Sequence, residues 1–347
     1  MPGFHALPVL LGWALLACGS SAGEDPEPDL SLDERIAAID QDLSGNLGVY
    51  VRHVESGDAW EHQADQAWYQ ASTVKVPVAV AVLQLVEEGD LSLDDTLTLQ
   101  ASDWVDGAGE LLYHSPGTEY TLRELVVLSL TQSDSTATDM LIRLIGQDEL
   151  NRRVGGGMTS EGFYTITPIL QVRYDAYGEI HPDVNELSNQ DFVRLNQVPL
   201  GPERYDAFLD KLPNPSPEPE LDGIFVAFER YYGRQLNSAR LTAFGELLAR
   251  LNSGDLLTSH HTEWLLETMS DIDTGAERIV AGLPGDVTFA HKTGTQVARA
   301  CNVGIAEPQT PRATVIVACA ERYEALTEAE AAFRRVGEAV VDAGVLD

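Results

Sequence analysis

A hydroxyl and an amine stand three residues apart at Ser72 and Lys75, at the head of the run Val76–Val86, which is almost wholly apolar. Its length suits a buried helix, and Gly89 suits the residue just past a helix end. Side chains three apart on a helix share a face, so Ser72 and Lys75 can meet. A serine beside an amine is a nucleophile beside a base, and a helix N-terminus favours developing negative charge. Ser-x-x-Lys is a common pattern, but this chain has only three lysines, Lys75, Lys211 and Lys292. Of the cationic side chains, lysine most readily sheds its proton when desolvated.

The elements around this pair follow from periodicity and caps. Ser31-Leu32-Asp33-Glu34 has capping-box spacing and opens a helix carrying Ile36, Ile39 and Leu43. Leu47–Val54 alternates as a strand, and a second strand passes through Trp60. Asp106–Leu111 reads as a flexible loop. Thr121 and Glu124 form another capping box, for a helix running through Leu130. Between two apolar helical stretches lie Ser133-Asp134-Ser135, placed either to face a cleft or simply to cap a helix. Residues 147–235 are hard to read, and the proline-rich stretch 199–219 reads as a surface excursion with a few helical turns, not a separate domain. Leu241–Leu251 is an amphipathic helix. His260-His261 lacks a third ligand at metal-like spacing, so no metal or other cofactor is expected. Three strands follow, 287–295, 299–305 and 314–320, and Thr327-Glu328-Ala329-Glu330 caps a last helix. The expected class is α+β, an α/β sandwich. An antiparallel sheet is built from both chain ends (31–70 and 285–347), with a helical half (71–284) inserted. With the hairpin turn centred near Thr310, Cys301 and Cys319 face each other, either as a disulfide or as two buried thiols.

Charge and targeting set the surroundings. The chain has 347 residues and a formal net charge of −33, spread along its length. That argues against nucleic acid and anionic membrane faces as partners. Leu7–Ala17 is an apolar run too short to span a bilayer, and Leu15-Leu16-Ala17-Cys18 is similar to a bacterial lipoprotein processing site. The expected layout is a signal peptide over 1–17, lipidation at Cys18 and an acidic tether over 18–30. The protein would then be periplasmic or held at the cell envelope, with membrane contact only through the anchor. An ordinary cleaved signal is the alternative, and a monomer is expected.

Ser72-x-x-Lys75, Ser133-Asp134-Ser135 and Lys292-Thr293-Gly294 occur in this order, at a helix start, an inter-helix turn and a strand. In this the chain resembles the class A β-lactamases and penicillin-binding proteins from about Ser31 to Gly344. The resemblance implies an acyl-enzyme on Ser72, proton transfer by Lys75 and proton delivery to the departing nitrogen by Ser133. Lys292, Thr293 and Thr295 would receive the substrate carboxylate, with Ser135 and Gly294 also in the binding site. The backbone N–H groups of Ser72 and Thr295 would form the oxyanion hole. Two departures stand out. Ser135 replaces the usual Asn, and no Glu-x-x-Leu-Asn supplies a deacylating base; Glu179 and Glu186 are the candidates in that region. Three functions remain open: a β-lactam hydrolase, a D-alanyl-D-alanine peptidase or esterase on the same scaffold, and a non-turnover receptor for β-lactams or peptidoglycan stem peptides.

Overall fold

The computed structural model describes residue 3 and residues 30–159, 161–213 and 218–347. Cys18 and the rest of the expected signal and tether, apart from residues 3 and 30, lie outside the described residues, as do residues 214–217 of the proline-rich stretch.

The chain opens with helix α1 (Leu32–Asp42), closed at its start by the Ser31/Glu34 capping box as expected. Strands β1 (Asn46–His53) and β2 (Ala59–His62) form a hairpin. A single 3₁₀ turn, Ala71–Val74, leads into α2 (Lys75–Glu88), and Gly89 ends it in the left-handed region at φ 82°. Val76 to Leu83 are all buried, so packing on every side outweighs the modest helix propensity of so many valines. Helix α3 (Leu122–Thr131) carries the expected Thr121/Glu124 capping box, and α4 (Ser135–Ile145) is capped by Asp134. Helix α5 (Ile169–Gly178) and helix α6 (Leu241–Asn252) follow. Strands β3 (Phe289–Gln296), β4 (Arg299–Ala306) and β5 (Thr314–Glu321) then precede the last helix, α7 (Leu326–Asp342).

The five strands form one antiparallel sheet in the order β2-β1-β5-β4-β3, so both chain ends meet in it. One face packs on α1 and α7 through Ile36, Phe333 and Val336. The other packs on α2, α6 and their neighbours through Val303, Val315 and Val317. The hairpin register places Cys301 opposite Cys319, Val303 opposite Val317 and Ile305 opposite Val315. The two cysteines form a disulfide, which resolves the alternatives left by spacing. A bridge 18 residues apart in sequence contributes about 3 kcal/mol in the chain-entropy account.

One stretch left unread by the sequence takes shape, and two local expectations are corrected. The 147–235 region has its own aromatic core, in which Tyr177 touches Phe192, Phe208 and Phe228. Inside the proline-rich stretch, Pro202–Leu209 forms a helix, as the expected helical turns imply, but its Phe208 is fully buried rather than at the surface. Thr327 is not a cap: α7 begins at Leu326 with Ala325 as its cap residue. Glu330 turns instead to Arg278, 3.4 Å away.

Candidate active site

A cleft of about 340 Å³ runs between the edge strand β3 and the start of α2. Ser72, Ser133, Ser135, Thr293 and Thr295 line it. The turn that carries Ser72 is anchored from below. Gln70 is fully buried, and its side-chain amide donates to Trp68 O at 3.0 Å. Thr73 Oγ1 donates to Gln70 O at 2.8 Å. Ala71 sits at φ 46°, an uncommon value for a residue with a Cβ. The disulfide lies behind this turn, with Cys301 Sγ 3.4 Å from Tyr69 O. Strand β3 presses against the turn at Gly294, where a Cβ would stand 2.5 Å from Gln70 O and 3.0 Å from Ser72 N. Only glycine lets the strand edge come this close to the nucleophile's amide.

Lys75 is fully buried, and its Nζ donates to Ser133 O at 2.5 Å and to Ser133 Oγ at 3.2 Å. Burial brings its pKa down to about 7; the charges of Asp134 and Asp139 oppose that shift and Arg173 adds to it. Ser133 reaches this contact in the left-handed region, at φ 57°. The middle motif therefore divides its labour. Ser133 and Ser135 face the cleft, whereas Asp134 serves structure: its carboxylate accepts from Ala137 N at 2.8 Å and Leu111 N at 2.9 Å. The latter bond fixes one end of the Asp106–Leu111 loop, whose end residues are buried while Gly107, Ala108 and Glu110 are exposed, so the expectation of a freely flexible loop is corrected at its ends. Asp106 is itself buried and binds Arg173.

Lys292 lies fully buried below the cleft, where its Nζ donates to Thr293 O at 3.1 Å. Burial holds its pKa well below the ordinary lysine value, and the charges of Lys75 and Arg278 push the same way. Thr293 Oγ1 is 2.6 Å from Thr274 Oγ1. Thr295 Oγ1 accepts from Arg278 Nη2 at 2.7 Å. Arg278 is only 4% exposed and also donates to Gly294 O and Cys301 O. Two threonine hydroxyls and a buried guanidinium thus meet at this end of the cleft, with Glu330 beside Arg278.

Glu179 and Glu186 are not brought to Ser72. Glu179 sits at the far end of α5, 3.7 Å from Arg230 and 3.6 Å from Arg234. Glu186 is exposed at the end of a short 3₁₀ helix. Neither lines the cleft. The cleft wall at α5 instead presents Ile169, Val172 and Arg173. Behind it, Asp139 accepts from Ile169 N at 2.7 Å and Leu170 N at 2.9 Å, and burial raises its pKa to about 6. Sequence reading missed Arg173 and Arg278, because lone arginines outside any motif carry no local signal. Among the described residues, no group of acidic, His or Cys side chains could hold a metal.

Comparison with known proteins gives the chain its relatives. The chain is 33% identical over 141 residues to a beta-lactamase of Rhodobacter capsulatus, covering 41% of this chain and 48% of that protein. It thus spans about half the length of that relative. A beta-lactamase crystal structure from Chitinophaga pinensis superposes with a TM-score of 0.69 at 20% identity, over 90% of this chain and 99% of the other. A PBP-A mutant in acyl-enzyme complex with penicillin G superposes with a TM-score of 0.65 at 23% identity, over 91% and 98%. Those two likenesses establish the fold. The model of the beta-lactamase enzyme family matches residues 31–343, which is nearly all of the described chain, and the protein belongs to that family.

Proposed function

We propose that the protein is a serine hydrolase that opens β-lactam amides through an acyl-enzyme on Ser72. The observation that carries this is the buried Lys75 amine bound to Ser133, beneath a cleft that Ser72 lines. Ser72 Oγ attacks the amide carbonyl while neutral Lys75 takes its proton. The oxyanion meets the N–H groups of Ser72 and Thr295. As the C–N bond breaks, Ser133 Oγ gives its proton to the nitrogen and is reprotonated from Lys75. The substrate carboxylate lies against Thr293, Thr295 and Arg278, with the Lys292 side chain below, and Ser135 and Gly294 shape the binding site.

The test is the pH dependence of covalent labelling by benzylpenicillin, followed by intact mass. Lys75 accepts a proton only when neutral, and an amine that titrates near 7 becomes neutral as pH rises. The labelling rate is therefore expected to climb about tenfold per pH unit below 7 and to level off above it. A rate constant that stays flat through neutrality excludes Lys75 as the base.

A second reading, a peptidase or a β-lactam-binding receptor on the same scaffold, is favoured by one observation: neither Glu179 nor Glu186 lines the cleft. We also propose export, from the apolar run Leu7–Ala17 and Cys18. In a bacterial host, Cys18→Ser should move the protein from the membrane fraction to the soluble one. Unchanged fractionation would remove the lipid anchor from the reading.

A further inference from the structure

Two buried guanidinium groups flank Ser72 along the cleft, and the chemistry above uses one of them. Arg278 stands at the Thr293–Thr295 end. Arg173 stands at the other, on α5, where it lines the cleft with Gly107 and Ser135 and is 8% exposed. Its Nε donates to Asp106 Oδ1 at 2.6 Å, and its Nη2 donates to the Asp106 main-chain oxygen at 3.2 Å. Its Nη1 is buried with no acceptor among the described residues. An ion pair that merely tied α5 to the 106–111 loop would need no more than Nε and Nη2. A buried, unmet donor of a charged group is costly unless a ligand completes it.

The surroundings favour an anion there. In a chain of net charge −33, two guanidinium groups, Arg173 and Arg278, line one cleft, and the cleft residues Ser133 and Thr293 are in turn bonded by the buried amines of Lys75 and Lys292. Among the described residues that line it, the carboxylate is Glu330, at the Arg278 end. Gly107, at φ 131°, keeps the corner before Arg173 open: a Cβ there would stand 2.8 Å from Ser135 Oγ and 3.9 Å from Arg173 Nη2. We propose that Arg173 recognises a carboxylate carried on the acyl side of the substrate, so that the cleft takes a dianion with Ser72 between its two acidic groups. This rests on the reading of the cleft as an acyl-transfer site. It adds a substrate class, acyl donors that bear an acidic substituent, and a residue that selects for it. A planar guanidinium fork suits a carboxylate better than a point charge would.

The experiment uses benzylpenicillin and its α-carboxy analogue, which differ by one carboxylate on the acyl side chain. Their affinities are measured by calorimetry on full-length Ser72→Ala protein, so the result does not depend on acylation. The carboxylated penicillin is expected to bind about tenfold more tightly. Adding Arg173→Gln should erase that preference while the affinity for benzylpenicillin stays within about threefold. Adding Asp106→Asn, which keeps an acceptor for Nε but removes the competing charge, should enlarge the preference. A ratio that neither substitution moves, or no binding of either penicillin, overturns the proposal. If Arg173→Gln does not fold, Asp106→Asn alone decides, through a ratio that rises or does not. Labelling of the Ser72 protein is scored separately. A charge preference without any label refutes the acyl-transfer reading and keeps Arg173 as an anion site, and label without charge preference does the reverse.

Discussion

Replacing Ser72 with alanine is expected to abolish covalent labelling by penicillins, lowering the rate by at least about 10⁴-fold, since removing a nucleophile removes the covalent route itself. The substitution is structurally mild. Ser72 is half-buried in a 3₁₀ turn whose hydrogen bonds come from Gln70 and Thr73 rather than from the serine hydroxyl. Circular dichroism and the unfolding midpoint should therefore match those of the parent protein, while intact mass shows no adduct. Adduct on the alanine variant would move the nucleophile elsewhere. Ser133 would be the first alternative, because its hydroxyl accepts from Lys75 Nζ.

The second large effect is a slow release of the acyl group. Hydrolysing the ester needs a water and a base to take its proton, and general-base help is worth about 10²–10⁴-fold, or about 3–5 kcal/mol of barrier. The nearby carboxylates are all engaged. Asp139 is buried on two backbone amides, Asp134 caps α4, Asp106 holds Arg173 and Glu330 faces Arg278. Glu179 is drawn away by Arg230 and Arg234. A chromogenic cephalosporin should therefore give a burst near one equivalent, a persistent mass adduct, and then slow turnover. Glu179→Ala and Glu186→Ala should leave the slow phase unchanged. Rapid steady hydrolysis without adduct refutes this picture, and in that event the glutamate whose removal restores the adduct is the base.

The features legible in the sequence were local. Capping boxes placed α1 and α3, an almost wholly apolar run placed α2, and strand alternation with a turn near Thr310 set Cys301 opposite Cys319, with the disulfide itself left open. The hidden features were set by distant partners. The Asp106–Leu111 loop has a flexible composition but is held by Arg173 and Asp134, 67 and 23 residues away. The box at Thr327 failed because Glu330 is engaged by Arg278, 52 residues earlier. The aromatic core of residues 147–235 stayed unreadable because its side chains come from several helices of seven to ten residues, each giving only a few of them. The missing glutamate pattern was legible, but the hydrophobic and cationic wall in its place, Ile169, Val172 and Arg173, was not.

The sheet order has a consequence for how the chain matures. Strand β1 is among the first elements to be made, yet in the order β2-β1-β5-β4-β3 its partner is β5, and Asn46 pairs with Glu321, 275 residues later. Closing a loop of that length costs about 5 kcal/mol of chain entropy before any sheet contact forms. Helices α2 to α6 can gather through nearer contacts, so Ser72 and Ser133 can meet while β3 is still absent. The wall that carries Lys292, Thr293 and Thr295 arrives last, with the C-terminal strands. A nascent or C-terminally shortened chain that lacks β3 would thus carry Ser72, Lys75 and Ser133 without the strand that supplies Lys292, Thr293 and Thr295, so the cleft is complete only once the sheet has closed.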